Sequence, residues 1–142
     1  MSDIEEHFEL VCRMARRAEN LILYIDEVDQ LCSPNGMMAQ RSPYWNRPEN
    51  KHRRPAFADM LDSGRHAGIA LVMISRMPAQ VNRKVTANCQ EMRVFRQSEP
   101  NVLSYFQDKA GKSMSDMLPK LGDYEYVLWQ DGKRPIVAGG RR

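Results

Sequence analysis

Leu21-Ile22-Leu23-Tyr24-Ile25-Asp26-Glu27-Val28-Asp29-Gln30-Leu31 is the stretch on which the reading of the chain turns. Its first five residues are apolar and β-prone with no polar alternation, the pattern of a strand buried on both faces of a parallel sheet. Two acids follow directly. In open α/β sheets ligands bind beyond the carboxyl ends of the strands, so this order puts Asp26 and Glu27 where a ligand sits. An Asp in that place orients a Mg2+-bound water, and the next Glu accepts a proton from water attacking a γ-phosphate. A strand that merely turns at an Asp has the same local sequence, so the surroundings must decide.

Upstream, residues 3–19 (DIEEHFELVCRMARRAE) place Ile4, Phe8, Val11, Cys12 and Ala15 at three- and four-residue steps. That spacing predicts an amphipathic helix, with acids early and Arg16 and Arg17 late as its dipole favours, closed by Asn20. Downstream, the buried-strand pattern recurs at Ile69–Ile74 (IALVMI) and more weakly at Met92–Phe95. Helical patterns stand between and after these strands: around Phe57, Met60 and Leu61, ended by Gly64; from Pro78 through Val81 and Val85; and from Pro100 through Val102, Leu103 and Phe106. Strand alternating with helix predicts an α/β domain with a parallel sheet flanked by helices. DYEYVLW at 123–129 and RPIVAG at 134–139, joined through Asp131-Gly132, predict a C-terminal β-hairpin within 123–139.

A length of 142 residues suits one domain, 1–142, and 42% hydrophobic with 27% charged residues excludes wholesale disorder. No apolar run approaches the roughly 20 residues of a membrane helix. The acidic start MSDIEEHFEL lacks the basic and apolar regions of a secretory signal. Cys12, Cys32 and Cys89 lie far apart with no CxxC or Cys/His ligand spacing, which reads as free thiols of a reducing cytoplasm. His7, His52 and His66 are equally scattered. The net charge of +3 is too small to establish nucleic-acid binding.

Its distribution says more. The segment 33–55 carries Arg41, Arg47, Lys51, Arg53 and Arg54 against Glu49 alone, a net +4, with Tyr44 and Trp45 between them. Read as a flexible basic loop, it would contact phosphates through Arg47, Lys51, Arg53 and Arg54 and stack bases on its aromatic rings. An Arg-rich connector is the alternative. Arg141 and Arg142 add charge at the end.

Phosphate chemistry of the Asp26-Glu27 kind needs GxxxxGK[ST], whose backbone amides cradle the phosphates and whose Lys neutralises them. No such segment stands before residue 21. Gly111-Lys112-Ser113 fails the pattern, because the first Gly would fall on Phe106; this stretch reads as a helix junction. The second apolar strand ends in Ser75 and Arg76, and lies beside the Asp26 strand if the sheet is of the P-loop kind. There a hydroxyl or a guanidinium senses a γ-phosphate; alternatively Ser75 caps the following turn and Arg76 is solvated.

In their order, IDEVDQL, GRHAGIALVMISRMP and VTANCQEMRVFRQ resemble the second half of the HerA/FtsK superfamily of hexameric P-loop ATPases that translocate or package DNA. Zot-like phage assembly ATPases share a similar layout. The resemblance covers roughly residues 5–98 and implies a partial P-loop NTPase of the RecA/FtsK-like kind. It implies Asp26 as the metal-associated acid of a Walker B strand, Glu27 as the catalytic acid, and Ser75 with Arg76 as nucleotide sensors. Arg65 and Arg96 are the candidates for an arginine reaching a neighbouring subunit's nucleotide, Arg65 being preferred. The family often has Gln where this chain has Arg76, and its phosphate-binding half lies upstream of anything present here. Mg2+ and ATP are thus expected only in a completed site. The expected partners are further copies in a ring, or a P-loop-bearing partner, together with DNA. A non-catalytic α/β module that binds nucleic acid or a partner is the alternative function, and a degenerate remnant with an exposed sheet edge is a third.

Overall fold

The structure, a computed structural model, describes residues 2–33, 36–37 and 43–140. The chain divides into two compact units, Met1–Asn88 and Cys89–Arg142.

In the first unit helix α1 (Ser2–Ala18) ends in Arg16 and Arg17 and buries Cys12 and Ala15. Glu19 and Asn20, both left-handed (φ 54° and 48°), stop it and turn the chain into strand β1 (Ile22–Ile25). After β1 come the one-turn helix α2 (Val28–Leu31), the short antiparallel pair β2 (Cys32–Ser33) and β3 (Gly36–Met37), helix α3 (Pro43–Asn46) and helix α4 (Ala56–Ser63). A 3-10 turn, Gly64–Ala67, leads into strand β4 (Ala70–Met73). β1 and β4 are parallel, with Ile22 opposite Ala70 and Ile25 opposite Met73.

The core lies on one side of this pair. Phe57, fully buried, meets Phe8 at 5.3 Å between ring centroids, and Ile25, Ile69, Met60 and Val28 are buried in the same cluster. Burying a side chain the size of Phe57 contributes about 1.5–3 kcal/mol. Buried Glu9 ties the helices together: its carboxylate accepts from Arg13 Nε at 2.8 Å and from the Ala56 amide at 2.9 Å, so a residue of α1 satisfies the buried amide that opens α4.

Two expectations are corrected here and one is met. β1 and β4 are not buried on both faces, because Ile22, Tyr24, Val72 and Ile74 stand exposed on the side opposite the core. Gly64 ends α4 as expected, capping it in a right-handed conformation, and the chain continues through the 3-10 turn to Gly68. At Gly68 (φ 70°) an added Cβ would lie 2.2 Å from Asn20 Oδ1, so both conformation and space demand glycine. The helix expected from Pro78 is interrupted at Val81, which is extended. Asn82 then caps a new helix, α5 (Arg83–Ala87), by accepting from the Lys84 amide at 2.9 Å.

In the second unit strand β5 (Glu91–Phe95) pairs antiparallel with β6 (Glu125–Gln130), which pairs antiparallel with β7 (Ile136–Gly139). The expectation that Met92–Phe95 is a third parallel strand is therefore overturned. Glu91, Arg93 and Phe95 face solvent while Val94 is buried, the alternation of a strand covered on one side. The terminal hairpin forms where it was expected. Helices α6 (Pro100–Ala110) and α7 (Lys112–Met117) meet at Gly111 (φ 88°), so Gly111-Lys112-Ser113 is a helix junction. Phe106, Met114, Leu118 and Val127 are the fully or almost fully buried side chains of this unit.

Candidate functional site

The parallel register of β1 and β4 brings their carboxyl ends side by side, and with them the two polar tips singled out in the sequence. Ile74 N–H donates to Ile25 O at 2.9 Å, and Val28 N–H donates to Ile74 O at 3.0 Å, so main-chain bonds continue the pairing past both strands. Between them Glu27 adopts a left-handed conformation (φ 51°, ψ 44°). A residue with a Cβ held there costs about 1–2 kcal/mol and redirects the chain within one residue. The turn is braced by the Glu27 amide, which donates to Asp26 Oδ1 at 2.8 Å.

Arg76 forms an ion pair with Glu27 Oε1, and Gln30 Nε2 donates to Glu27 Oε2 at 2.9 Å, so both carboxylate oxygens are engaged. The Ser75 hydroxyl donates to Asp29 Oδ1 at 2.7 Å and accepts from the Met77 amide at 3.1 Å. Asp26, Glu27, Ser75 and Arg76 thus share one end of the sheet. Asp29 and Gln30 were not singled out in the sequence. Their signal was present, since Gln30 stands three residues after Glu27, the spacing at which side chains meet on a helical turn.

Asp26 is exposed at the strand end, and its second carboxylate oxygen faces no donor among the described residues. A single exposed carboxylate fits hydrated Mg2+, which keeps several waters and takes one or two protein acids. Among the described residues no group of three or more His, Cys, Asp or Glu is placed to enclose a metal.

Arg65 is not brought to this cluster. It lies exposed on the 3-10 turn before β4, at the opposite end of a strand that spans about 13 Å at the usual rise per residue. Arg96 lies in the second unit, where it lines a shallow cavity of about 220 Å³ with Phe95 and Tyr124.

Within the basic segment, the described residues 43–55 form helix α3 and the turns that follow it. Tyr44 and Trp45 are 7% and 4% exposed and pack edge to face at 5.1 Å, so neither ring is open to a base, contrary to the stacking expected of them. Apolar burial outcompetes display on the surface here. Arg47 lies over the Tyr44 ring and 3.7 Å from Glu6; Arg54 pairs with Asp59 at 3.2 Å and with Asp62. Arg53 reaches Asn50 Oδ1 at 3.4 Å, and Lys51 is exposed. Arg41, Arg141 and Arg142 lie outside the described residues.

No protein-family model matches the chain, and no curated protein matches it. Solved structures do. The fold is similar to that of a viral genome-packaging NTPase. B204 of Sulfolobus turreted icosahedral virus 2, in complex with ATP-gammaS, superposes with a TM-score of 0.75 at 16% identity over 93% of this chain and 60% of that one. The AMPPCP complex of the same protein gives 0.73 at 17% identity over 93% and 62%. B204 described as the DNA-packaging ATPase of Sulfolobus Turreted Icosahedral Virus gives 0.67 at 18% identity over 87% and 53%. At these identities the likeness is one of fold. The chain spans between half and two thirds of the length of these proteins. No helix among the described residues is long and apolar enough to cross a membrane.

Proposed function

We propose that the chain supplies the Walker B and sensor part of an ATP-driven nucleic-acid translocating or packaging ATPase of the HerA/FtsK kind, as a fragment or split half completed by a P-loop-bearing segment or partner. The observation that carries this reading is the parallel β1–β4 pairing, which sets Asp26 and Glu27 beside Ser75 and Arg76 at the ligand-binding end of an α/β sheet. The likeness of fold to a packaging NTPase in complex with ATP-gammaS and with AMPPCP supports it.

In the completed site Asp26 would hold hydrated Mg2+, which would polarise the γ-phosphate of ATP. Glu27 would take the proton of the attacking water once Arg76 had exchanged its carboxylate for phosphate oxygens. Arg65, at the far end of β4, serves only across an interface, reaching the nucleotide of a neighbouring copy in a ring. Lys51 and Arg53, exposed and facing no acid among the described residues, meet the phosphate backbone of DNA. The test is ATP hydrolysis by the chain joined to a P-loop-bearing segment. Hydrolysis that depends on Glu27 supports the reading, and hydrolysis indifferent to Asp26, Glu27 and Arg65 reduces the likeness to fold alone.

A further inference from the structure

We infer that Asp29 is a positioning residue whose carboxylate commits the Ser75 hydroxyl and thereby sets where Arg76 stands against Glu27. The inference rests on the reading of Glu27 and Arg76 as working parts of the site. It separates Ser75 from Arg76, which the sequence pairs as two sensors.

A serine hydroxyl has one proton to give, and an ionised carboxylate can only accept. The Ser75 proton points to Asp29 Oδ1 at 2.7 Å, a short charge-assisted bond between half-buried partners. To touch a phosphate, which also only accepts, Ser75 would have to abandon Asp29. Its oxygen is used as well, by the Met77 amide at 3.1 Å. Asp29 therefore reaches, through one hydroxyl, the residues on both sides of Arg76: Ser75 directly and Met77 through the amide. On the near side Asp29 belongs to α2, whose first amide is held by Ile74 O and whose Gln30 holds the second oxygen of Glu27. The turn carrying Arg76 and the turn carrying Glu27 are thus fastened at points flanking both side chains. Arg76 itself is 76% exposed on its side chain, so no packing of its own holds it in place. Its position comes from the fastening, and Arg76 alone is left to meet the anion.

The test uses the full chain with no nucleotide, and reads two NMR signals: exchange of the Met77 amide and the Nε–H resonance of Arg76. Asp29→Ala and Ser75→Ala should each speed Met77 exchange by a few-fold to about tenfold, as expected when the bond from an amide to a hydroxyl is loosened or lost. Each should also move the Arg76 resonance to its position in Glu27→Gln, where the ion pair is absent. Asp29→Asn keeps an oxygen for Ser75 and should return both signals to wild type, and Asp29→Ala with Ser75→Ala should go no further than either alone. Wild-type signals in Ser75→Ala, or an Asp29→Asn variant that behaves like Asp29→Ala, would overturn the inference. Should Asp29→Ala fail to fold, the Ser75→Ala and Asp29→Asn pair still decides. Because no ATP is involved, failure of the completed assembly to hydrolyse it would remove the proposed function and leave this result standing, and the converse holds equally.

Discussion

The guanidinium of Arg76, on the turn after β4, is ion-paired to the carboxylate of Glu27, at the end of β1. The partners come from segments far apart in the chain and meet only because the two strands run parallel and in register. Their side chains are 76% and 40% exposed, so solvent screens the pair and its contribution to folding is small. Arg76→Ala should change the stability of the chain by less than about 1 kcal/mol in a urea titration. A larger loss would mean that Arg76 braces the fold instead of standing ready for an anion.

Glu9 is the opposite case. Nearly fully buried, it holds Arg13 and the opening amide of α4, so Glu9→Ala leaves a buried amide and an arginine without their acceptor. A loss of about 2 kcal/mol is expected in urea unfolding, in the range for leaving a buried amide without its acceptor, because Arg13 is a third exposed and can turn to water. Glu9→Gln, which keeps one acceptor, should lose clearly less. Equal losses would show that only packing matters at this position.

How far the sequence could be read is clearest at these two sites. Asp26, Glu27, Ser75 and Arg76 were legible as neighbours, because apolar strands ending in polar residues are a local pattern and parallel pairing then aligns their tips. The bond from Ser75 to Asp29 was not, since it depends on register and on the left-handed turn at Glu27. The role of Glu9 was hidden for a similar reason: within the helix pattern it reads as a solvated acid, and only the arrival of Ala56 buries it. Tyr44 and Trp45 misled because aromatic residues among arginines look the same whether they stack on bases or fill a core. Met92–Phe95 has the apolar content of a strand buried on both faces, but Glu91 and Arg93 flanking Met92 mark a strand with one wet face.

Burial pushes the Cys12 thiol up from 9.0 to about 12, with the nearby Glu9 charge and Cys32 adding to the effect. At pH 8 about one molecule in ten thousand carries a Cys12 thiolate, so alkylation of the native chain should leave Cys12 unmodified until the protein is unfolded. The raised value in the folded state also fixes the sign of a pH effect. The thiol's contribution to stability is full below about pH 9 and is lost as pH rises towards 12. Cys12→Ala should flatten that alkaline loss, as followed by unfolding at successive pH values.

Arg54 is occupied by Asp59 and Asp62, whereas Lys51 and Arg53 face no described acid. If the segment tracks DNA, Lys51→Ala with Arg53→Ala should lower the slope of log affinity against log salt by up to about two, while Arg54→Ala leaves it nearly unchanged. Fluorescence anisotropy with a duplex at several salt concentrations measures this. An unchanged slope in the double variant would remove the segment from DNA contact.

Whether Asp26 and Glu27 form half of an ATPase site is decided by phosphate release from Mg2+-ATP, measured for the chain alone, for the chain joined to a P-loop-bearing segment, and for Glu27→Gln in the same joined form. Background release is expected from the chain alone, because acids that position metal and water cannot hold a triphosphate without an amide cradle and a lysine. Turnover is expected in the joined form, and in Glu27→Gln nucleotide binding is retained while turnover is lost, since the amide keeps the shape and loses the base. Turnover of the joined form that is as fast in the Glu27→Gln variant as in the unsubstituted chain would show that Glu27 is not the base.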